Sequence, residues 1–342
     1  MNLLAIESSC DDTAAAVLVD GVVRSSIVAS QDAIHTEYGG VVPELASRSH
    51  MRAIIPTVER ALAEAGIGYD DLDAIAATYA PGLVGSLLVG VFVAKAMAYA
   101  RGIPFLGVNH LEGHLLSVQL DQPVPFPYVA LLVSGGHTSL YLARQLGDDA
   151  LLGATRDDAA GEAFDKVAKL LGLGYPGGRL IDELARDGNP TAIRFPRARL
   201  KPSVTRQRRF DFSFSGIKTA VALYVRDPAN AAAAPADIAA SFQEAAIDML
   251  LDTAFAAVDA SGAARLVIAG GVSANSRLRT RAASAGTAAG IEVIIPSLRY
   301  CTDNAAMIGI AAYHRLQRGE RDGTTLNAAA VADLTVLRDP AP

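Results

Sequence analysis

The chain has 342 residues, of which 51% are hydrophobic and 19% charged, and its formal net charge is −6. This composition is typical of a globular protein with a substantial core, and it excludes a disordered chain and a globally basic nucleic-acid-binding protein. The two cysteines, Cys10 and Cys301, are too few for a disulfide framework, so we expect a reducing, cytoplasmic setting.

The first half of the chain is predicted to begin with an antiparallel meander of three strands. Apolar runs separated by short polar turns indicate its strands at Leu3–Ile6, Thr13–Val19 and Val22–Ser30. Alternating segments follow, with predicted helices at Pro43–Ala65, Gly85–Ala100 and His110–Leu120 and predicted strands at Ala74–Thr78 and Phe105–Val108. The apolar segment around Leu83–Ala100 contains Lys95 and two glycines, which favours a buried helix over a membrane span, and we expect no membrane partner.

The second half repeats this order of elements. Strands are predicted at Val129–Val133, at Thr138–Ala143 and from Leu151 onward, with turns at Ser134–His137 and Gly147–Asp149. The later segments predict helices at Ala163–Gly172, Ala236–Ser261, Ser276–Gly290 and Asn304–Arg318, strands at Leu266–Ala269 and Glu292–Ile295, a turn at Tyr175–Gly178 and a loop at Ala229–Ala236. The two halves therefore predict an α/β fold with a duplicated βββαβαβα unit and a cleft between the copies.

Two histidines lie one helical turn apart at the start of the predicted helix His110–Leu120. At i and i+4, His110 and His114 project from the same face and can share one metal ion, although a pair of core or surface histidines is the alternative. Asn109 is placed to cap this helix, and Glu112 completes a capping box. Metalloproteases of the His-Glu-x-x-His type need a glutamate directly after the first histidine, where this chain has Leu111, so the spacing supports a metal site but not that mechanism.

A third metal ligand has to come from a distant part of the chain. Asp303 follows the strand at Glu292–Ile295 and precedes an apolar helix, so it is either the N-cap of that helix or a carboxylate ligand. Two histidines and one carboxylate would suit iron(II) or zinc.

Two glycine turns follow apolar strands and are of the kind that binds phosphate. Ser134–His137 follows one strand, and Gly270–Asn275 follows another and leads into a helix whose N-terminus favours anions. Neither turn matches a Walker or a dinucleotide fingerprint. Together with the acidic turn Glu7–Asp12 they favour a nucleotide in the cleft, where Asp165 could reach either a ribose or a substrate hydroxyl.

Two further features have a structural and a functional interpretation each. Asp11 and Asp12 are either surface turn residues or carboxylates that contact a metal or accept a proton. The residues between Arg194 and Arg209 include seven cations and no acid, which indicates either a solvated loop or a contact with phosphates.

Eight motifs together resemble the universal tRNA threonylcarbamoyladenosine transferase family, whose bacterial members are called TsaD and were once described as glycoproteases. The resemblance extends from about Leu3 to about Arg318, with small departures at Asp12, where a glutamate is usual, and at Ser276, where an arginine is usual. The motifs are Ile6–Thr13, Gly39–Glu44, Pro81–Leu83, His110–His114, Ser134–Thr138, Gly161–Lys166, Phe212–Gly216 and Cys301–Asn304.

The resemblance implies an actin/Hsp70-like ATPase fold with two lobes. The first lobe would comprise residues 1–126 and 305–342, and the second residues 127–304 with a helical and basic insertion at about 157–216. The implied reaction transfers a threonylcarbamoyl group from threonylcarbamoyl-AMP to the N6 amine of adenosine 37 in tRNAs that read ANN codons, with release of AMP. The implied partners are tRNA, a paralogous subunit of the same fold (TsaB) and a small P-loop ATPase (TsaE).

The resemblance also implies roles for individual residues. One divalent metal per subunit, Fe²⁺ in preference to Zn²⁺, would be held by His110, His114 and Asp303. Asp11, Asp12 and His137 are candidates for proton transfer. The implied adenylate-binding residues are Leu132, Val133, Ser134, Gly135, Gly136, Asp165, Gly178, Asp182 and Asn275.

Three other functions remain as alternatives. A metalloprotease would rest on the histidine pair alone, and a small-molecule kinase would share the fold. A non-catalytic paralogue would only support a catalytic partner, but bacterial paralogues of that kind lack the histidine pair.

Overall fold

The computed structural model describes residues 1–198, 200 and 209–334. The chain forms two compact units, one of Met1–Val124 with Asp303–Pro342 and the other of Pro125–Thr302. Each unit is built on its own five-stranded sheet.

Ten strands and ten α-helices make up the two units. The strands are β1 Asn2–Glu7, β2 Asp12–Val19, β3 Val22–Ser30, β4 Ala74–Ala80, β5 Phe105–Asn109, β6 Tyr128–Val133, β7 Thr138–Gln145, β8 Asp148–Ala154, β9 Arg265–Ala269 and β10 Glu292–Ile294. The helices are α1 Asp32–Thr36, α2 Pro43–Ala65, α3 Val84–Arg101, α4 His110–Leu116, α5 Ala160–Leu170, α6 Gly177–Ala185, α7 Ser215–Arg226, α8 Pro235–Ser261, α9 Ser276–Ala289 and α10 Ala305–Gln317. These counts refer to the residues that the structure describes.

The two sheets share one topology. The first has the order β3-β2-β1-β4-β5 and the second the order β10-β9-β6-β7-β8, which is the same plan read from the other edge. In both, three antiparallel strands are followed by two strands parallel to the first. The predicted α/β class and its duplicated unit are confirmed.

Parallel pairing brings distant polar residues to one edge of each sheet. In the first unit β1, β4 and β5 are parallel neighbours, so their carboxyl ends at Glu7, Ala80 and Asn109 meet at one edge. In the second unit the carboxyl ends of β6 and β9 meet in the same way. Ligand-binding residues of open α/β sheets usually lie at such edges.

Buried apolar strands form the centre of each unit. The whole of β6 is buried, and so is β1 from Leu3 onward, which explains why neither reads as an alternating strand: helices cover both faces of the sheet. In the second unit α8 contributes Phe242, which packs edge-to-face on Phe164 of α5 with ring centroids 5.0 Å apart.

Helix α3 is long and apolar enough to cross a membrane by length and composition, but only one face of it is buried. About a third (33%) of its 18 residues are buried, and it packs against β4 and α2. Phe92 and Tyr99 are exposed. The expected core helix is therefore buried on one side only.

Several predicted boundaries differ from the structure. The turn expected at Tyr175–Gly178 was wrong in its second half, because Gly177 begins α6 and its N–H donates to Asp165 Oδ1 at 2.8 Å. The turn expected at Gly147–Asp149 is shorter, because Gly147 has a φ of 80° and β8 already begins at Asp148. The predicted helix His110–Leu120 is α-helical only to Leu116 and continues as a 3₁₀ turn.

Candidate functional site

Three predicted metal ligands come together in the first unit. The ligand atoms of His110, His114 and Asp303 all lie within 4.8 Å of one another. Asp303 Oδ1 is 3.1 Å from His114 Nε2 and 3.5 Å from His110 Nε2. His114 is fully buried and His110 almost so, whereas Asp303 is partly exposed.

Local structure explains how the two histidines reach this position. Strand β5 ends at Asn109, whose side-chain oxygen accepts a hydrogen bond from the Leu111 N–H at 2.9 Å and caps α4. The next residue, His110, begins the helix, so both imidazoles start from the carboxyl edge of the first sheet. Glu112, predicted to complete a capping box, contacts Arg315 at 3.3 Å.

A buried carboxylate orients the first histidine. Glu7 is 0% exposed, and its Oε2 lies 3.0 Å from His110 Nδ1 and accepts a hydrogen bond from the Thr78 hydroxyl at 2.6 Å. Its Oε1 accepts from the Ser9 N–H. With Nδ1 engaged by Glu7, the Nε2 atom of His110 is the one presented to Asp303 and His114.

Burial and charge act in opposite directions on this pair. Burial alone would lower the pKa of His110, but the Asp303 and Glu7 carboxylates outweigh it and raise this pKa to about 9. Burial likewise favours the neutral form of Glu7, yet the charge on His110 lowers the pKa of Glu7 below its usual value. The pair is therefore a positive imidazolium beside a negative carboxylate when no cation is present.

The ligand atoms of His110, His114 and Asp303 together fit a divalent cation. Burial lowers the pKa of His114, so its imidazole is neutral and can donate an electron pair. His114 Nδ1 is a buried atom without a hydrogen-bond partner among the described residues. Two imidazole nitrogens and one carboxylate oxygen form a ligand set with open coordination positions, as in catalytic zinc sites and non-haem iron(II) sites.

Asp11 and Asp12 lie at the turn from β1 to β2 in the same unit. Burial and the nearby charge of Asp303 raise the pKa of Asp12 to about 7, and its Oδ1 has no hydrogen-bond partner within the described part of the chain. His50 of α2 stabilises this turn by two hydrogen bonds. Its Nε2 lies 2.9 Å from the Cys10 carbonyl oxygen, and its Nδ1 lies 2.7 Å from the Thr13 hydroxyl.

The second unit holds the predicted adenylate-binding residues. Leu132 and Val133 are buried at the end of β6, and the turn that follows exposes Gly135 and Gly136. A side chain at either glycine would meet nothing within 4 Å, so the turn faces open space. Helix α5 packs directly behind it, because a Cβ at Gly161 would lie 2.5 Å from the Ser134 carbonyl oxygen.

The other predicted adenylate residues form two small groups. Asp165 accepts the N–H of Gly177 beside Gly178, so it has a structural role at the start of α6. Asp182 accepts hydrogen bonds from the N–H of Ser276 at 3.1 Å and from its hydroxyl at 2.9 Å. Ser276 is the residue directly after Asn275, so Asp182 and Asn275 form the second group. A cavity opens beside this second group, lined among others by Gln243, Glu244, Ser276 and Arg277.

Asn275 has two partners of its own in this group. Its side-chain nitrogen donates to Gln243 Oε1 at 2.7 Å, and its oxygen accepts from the Leu278 N–H at the start of α9. Both partners fix the amide in one orientation at the edge of the cavity.

His137 is separate from the other candidates for proton transfer. It belongs to the second unit, whereas Asp11 and Asp12 belong to the first. Its backbone N–H donates to the Ser134 hydroxyl at 3.1 Å and so closes the turn that begins at Ser134.

Most of the basic segment 194–209 lies outside the described residues. Within the described part, Arg197 pairs with Asp248 at 2.7 Å.

Sequence reasoning missed the residues around the metal ligands. Thr78 and Arg315 were not predicted, and Glu7 was noted only as the start of an acidic turn. One signal existed for Glu7: a single acid that directly continues the apolar strand Leu3–Ile6 is buried if that strand is central.

Comparison with known proteins gives consistent matches over the chain. The family model of TsaD, described as tRNA N6-adenosine threonylcarbamoyltransferase, matches residues 22–310. A tRNA N6-adenosine threonylcarbamoyltransferase of Anaeromyxobacter dehalogenans (strain 2CP-1) is 56% identical over 330 residues, covering 95% of this chain and 97% of that protein. One from Geobacter sp. (strain M21) is 54% identical and covers 98% of both.

Solved structures support the fold. Full-length HypF in a phosphate- and nucleotide-bound form matches with a TM-score of 0.63 at 13% identity, covering 92% of this chain and 56% of that one. Component A of the (R)-2-hydroxyglutaryl-CoA dehydratase of Acidaminococcus fermentans matches with a TM-score of 0.55 at 14% identity, covering 93% and 99%. These neighbours have the actin/Hsp70-like ATPase fold.

Proposed function

Because the chain belongs to the tRNA N6-adenosine threonylcarbamoyltransferase family, we propose that it transfers the threonylcarbamoyl group of threonylcarbamoyl-AMP to the N6 amine of adenosine 37 in tRNAs that read ANN codons, releasing AMP. The observation that carries this proposal is the convergence of His110, His114 and Asp303 within 4.8 Å in a chain that matches the family over most of its length.

The family implies a divalent metal, and the three side chains are a possible site for it. We propose one ion per subunit, with Fe²⁺ favoured over Zn²⁺. When bound, the ion supplies a Lewis acid for a phosphate or carbamoyl oxygen of the adenylate. Glu7 supports this chemistry by holding His110 with Nε2 free to act as a ligand.

The second unit is proposed to bind the AMP portion. The exposed backbone at Gly135 and Gly136 can donate N–H groups to the phosphate. Gly178 borders open space at the start of α6. Asp165, Asp182 and Asn275 supply polar atoms for the nucleoside, although part of their hydrogen-bonding capacity holds α6 and α9 in place.

The N6 amine that attacks the carbamoyl carbon has to lose a proton, and Asp12 is the best of the three candidates to accept it. A carboxylate with a pKa near 7 is matched to proton transfer at neutral pH. Asp11 and His137 remain candidates. Holding both substrates in register would supply much of the rate.

The family also suggests where the protein acts and with which partners. We propose that the protein acts in the cytoplasm without a membrane, together with a paralogous subunit of the same fold (TsaB) and a small P-loop ATPase (TsaE). The proposed lobes, residues 1–126 with 305–342 and residues 127–304, differ by two residues at their boundaries from the compact units, in which Asp303 belongs to the first unit.

A metalloprotease function is disfavoured by the surroundings of the histidine pair. The position next to His110 is Leu111, and the nearby Glu112 contacts Arg315. A proteolytic mechanism of the His-Glu-x-x-His type therefore lacks its general base.

Reconstitution tests the proposal. Purified protein, with the partner subunit and the ATPase, is incubated with threonylcarbamoyl-AMP and unmodified tRNA, and the nucleosides are analysed by mass spectrometry. We expect threonylcarbamoyladenosine from the wild type and a loss of at least 100-fold in His110→Ala and Asp303→Ala. His314→Ala, a change at a half-buried histidine outside the ligand set, is the control, and full modification by both ligand variants would contradict the proposal.

A further inference from the structure

Helix α4 carries two of the three proposed metal ligands but is too short to fix its own orientation. It has seven residues, fewer than two full turns, and isolated helices of this length are not stable in water. Its orientation therefore depends on contacts with the rest of the first unit. The contacts with α10 are of special interest, because Asp303 lies just before that helix.

A close approach at Gly113 fixes the distance between α4 and α10. A methyl group at this position would stand 2.8 Å from Cδ1 of Ile308 and 3.2 Å from Cγ of Met307. Any larger residue would have to push the two helices apart. This contact sets the spacing of the helices, but it does not by itself fix the rotation of α4 about its own axis.

Arg315 near the end of α10 makes the contact that opposes rotation. Its guanidinium Nη1 lies 3.3 Å from Glu112 Oε2 and 3.2 Å from the Gly107 carbonyl oxygen of β5. Its Nε donates to Glu320 at 2.7 Å. Arg315 and Glu112 have side-chain exposures of only 11% and 13%, so solvent screens this pair weakly.

Rotation matters because Glu112 and the histidines lie on different faces of the helix. Glu112 is two residues from both His110 and His114, about half a turn around the axis. Fixing Glu112 therefore fixes the direction of both imidazoles. With side chains about 5–6 Å from the axis, a rotation of about 20° would move the ligand nitrogens by about 2 Å. Metal–ligand distances tolerate only about 0.2 Å.

We propose that Arg315 is a positioning residue of the metal centre, which acts through Glu112 to hold α4 in the rotation that directs both histidines at Asp303. The inference rests on the proposed metal site. Arg315 touches neither substrate nor metal in this scheme. Its effect is on how tightly, and in what geometry, the ion is held.

The test measures metal affinity and not catalysis. Apoprotein is titrated with Zn²⁺ against a chromophoric chelator, at a temperature well below unfolding. We expect Arg315→Met to weaken Zn²⁺ binding by about 10- to 100-fold, the effect of losing an outer support of a metal site. Arg315→Lys should recover only part of the loss, because a single ammonium group cannot contact Glu112 and Gly107 and also replace the Nε contact with Glu320.

Coupling between the two residues gives a second readout. Glu112→Gln keeps the size of the side chain and should weaken Zn²⁺ binding several-fold, and it tests the same contact if Arg315→Met does not fold. The double variant should bind no more weakly than Arg315→Met alone, because both changes remove one interaction. Co²⁺ absorption should also change in these variants, which reports ligand geometry.

Two controls separate positioning from general stability. Arg101→Met removes an ion pair with Asp70 at an exposed position of the same unit, and Ile75→Val weakens the buried sheet without touching α4. Neither should change Zn²⁺ affinity more than twofold. The inference is overturned if Glu112→Gln and Arg315→Met also bind within twofold of wild type, or if Ile75→Val weakens binding equally.

Failure of the proposed metal site is a distinct result. If wild-type protein binds no Zn²⁺, or if His110→Ala binds it as tightly as wild type, the site itself is wrong and the inference fails with it.

Discussion

Replacing Glu7 by glutamine is expected to weaken metal binding, although Glu7 is not itself one of the predicted ligands. Both carboxylate oxygens accept hydrogen bonds, Oε1 from the Ser9 N–H and Oε2 from the Thr78 hydroxyl, and Oε2 also faces His110 Nδ1. If the glutamine places its amide nitrogen where Oε1 lies in Glu7, that nitrogen faces the Ser9 N–H and two donors oppose each other. If it places the nitrogen where Oε2 lies, the nitrogen donates to His110 Nδ1. The proton of His110 is then favoured on Nε2, the nitrogen that the ion needs. Either orientation costs a buried hydrogen bond.

The size of the effect should depend on pH. The pKa of His110 is raised to about 9, so at pH 7 a proton competes with the metal by a factor of about 100. Removing the Glu7 charge lowers that pKa and relieves part of the competition, while the oriented ligand is lost at every pH. Loss of such a support typically costs 10- to 100-fold. We therefore expect a loss of about 10- to 100-fold at pH 9 and a smaller one at pH 7.

Competition titrations with Zn²⁺ at both pH values measure this directly. Wild-type affinity should rise about tenfold per pH unit between pH 7 and 9, as His110 gives up its proton, and this slope should flatten in Glu7→Gln. Glu64→Gln, an exposed change on α2, is the matched control. Unchanged affinity of Glu7→Gln at pH 9 would refute the reasoning.

Three further predictions concern stability and adenylate binding. The raised pKa of Asp12 means that the folded protein retains a proton between about pH 4 and 7, so wild-type apoprotein loses stability as pH rises through this window. In urea unfolding, Asp12→Asn should be more stable by about 1–3 kcal/mol at pH 8, and this gain should shrink steadily as the pH is lowered to about 4. Gly161→Ala pushes against the Ser134 carbonyl, so calorimetry should show at least tenfold weaker AMP binding with unchanged Zn²⁺ affinity. Phe242→Ala leaves a cavity against Phe164 and should cost about 3–5 kcal/mol of unfolding free energy, and a loss below 1 kcal/mol would contradict the packing.

Elements with strong local signals could be predicted from the sequence. Helix α2 was predicted with its observed bounds, because Pro43 is favourable in the first turn and Gly66 adopts the left-handed conformation that ends the helix, with a φ of 72°. The i, i+4 spacing of His110 and His114 likewise indicated a shared face. These features depend on neighbours a few residues apart.

Features that depend on tertiary contacts could not be predicted. The start of α6 is predicted as a turn because its Pro-Gly-Gly sequence is typical of one, whereas in the structure the Asp165 carboxylate, 12 residues earlier, accepts the first N–H of a helix there. Glu112 contacts Arg315 across 203 positions of sequence. Strand pairing likewise determines that Glu7, and not Asp11 or Asp12, becomes fully buried.

X-ray absorption of the protein purified without oxygen tests the central claim most directly. The absorption edge identifies the metal, and the fine structure gives its ligands. Coordination by His110, His114 and Asp303 predicts one ion per chain with imidazole nitrogen and carboxylate oxygen at about 2.0–2.2 Å, lost in His114→Ala. A sulfur shell at about 2.3 Å, or a metal content unchanged by His114→Ala, would contradict the account.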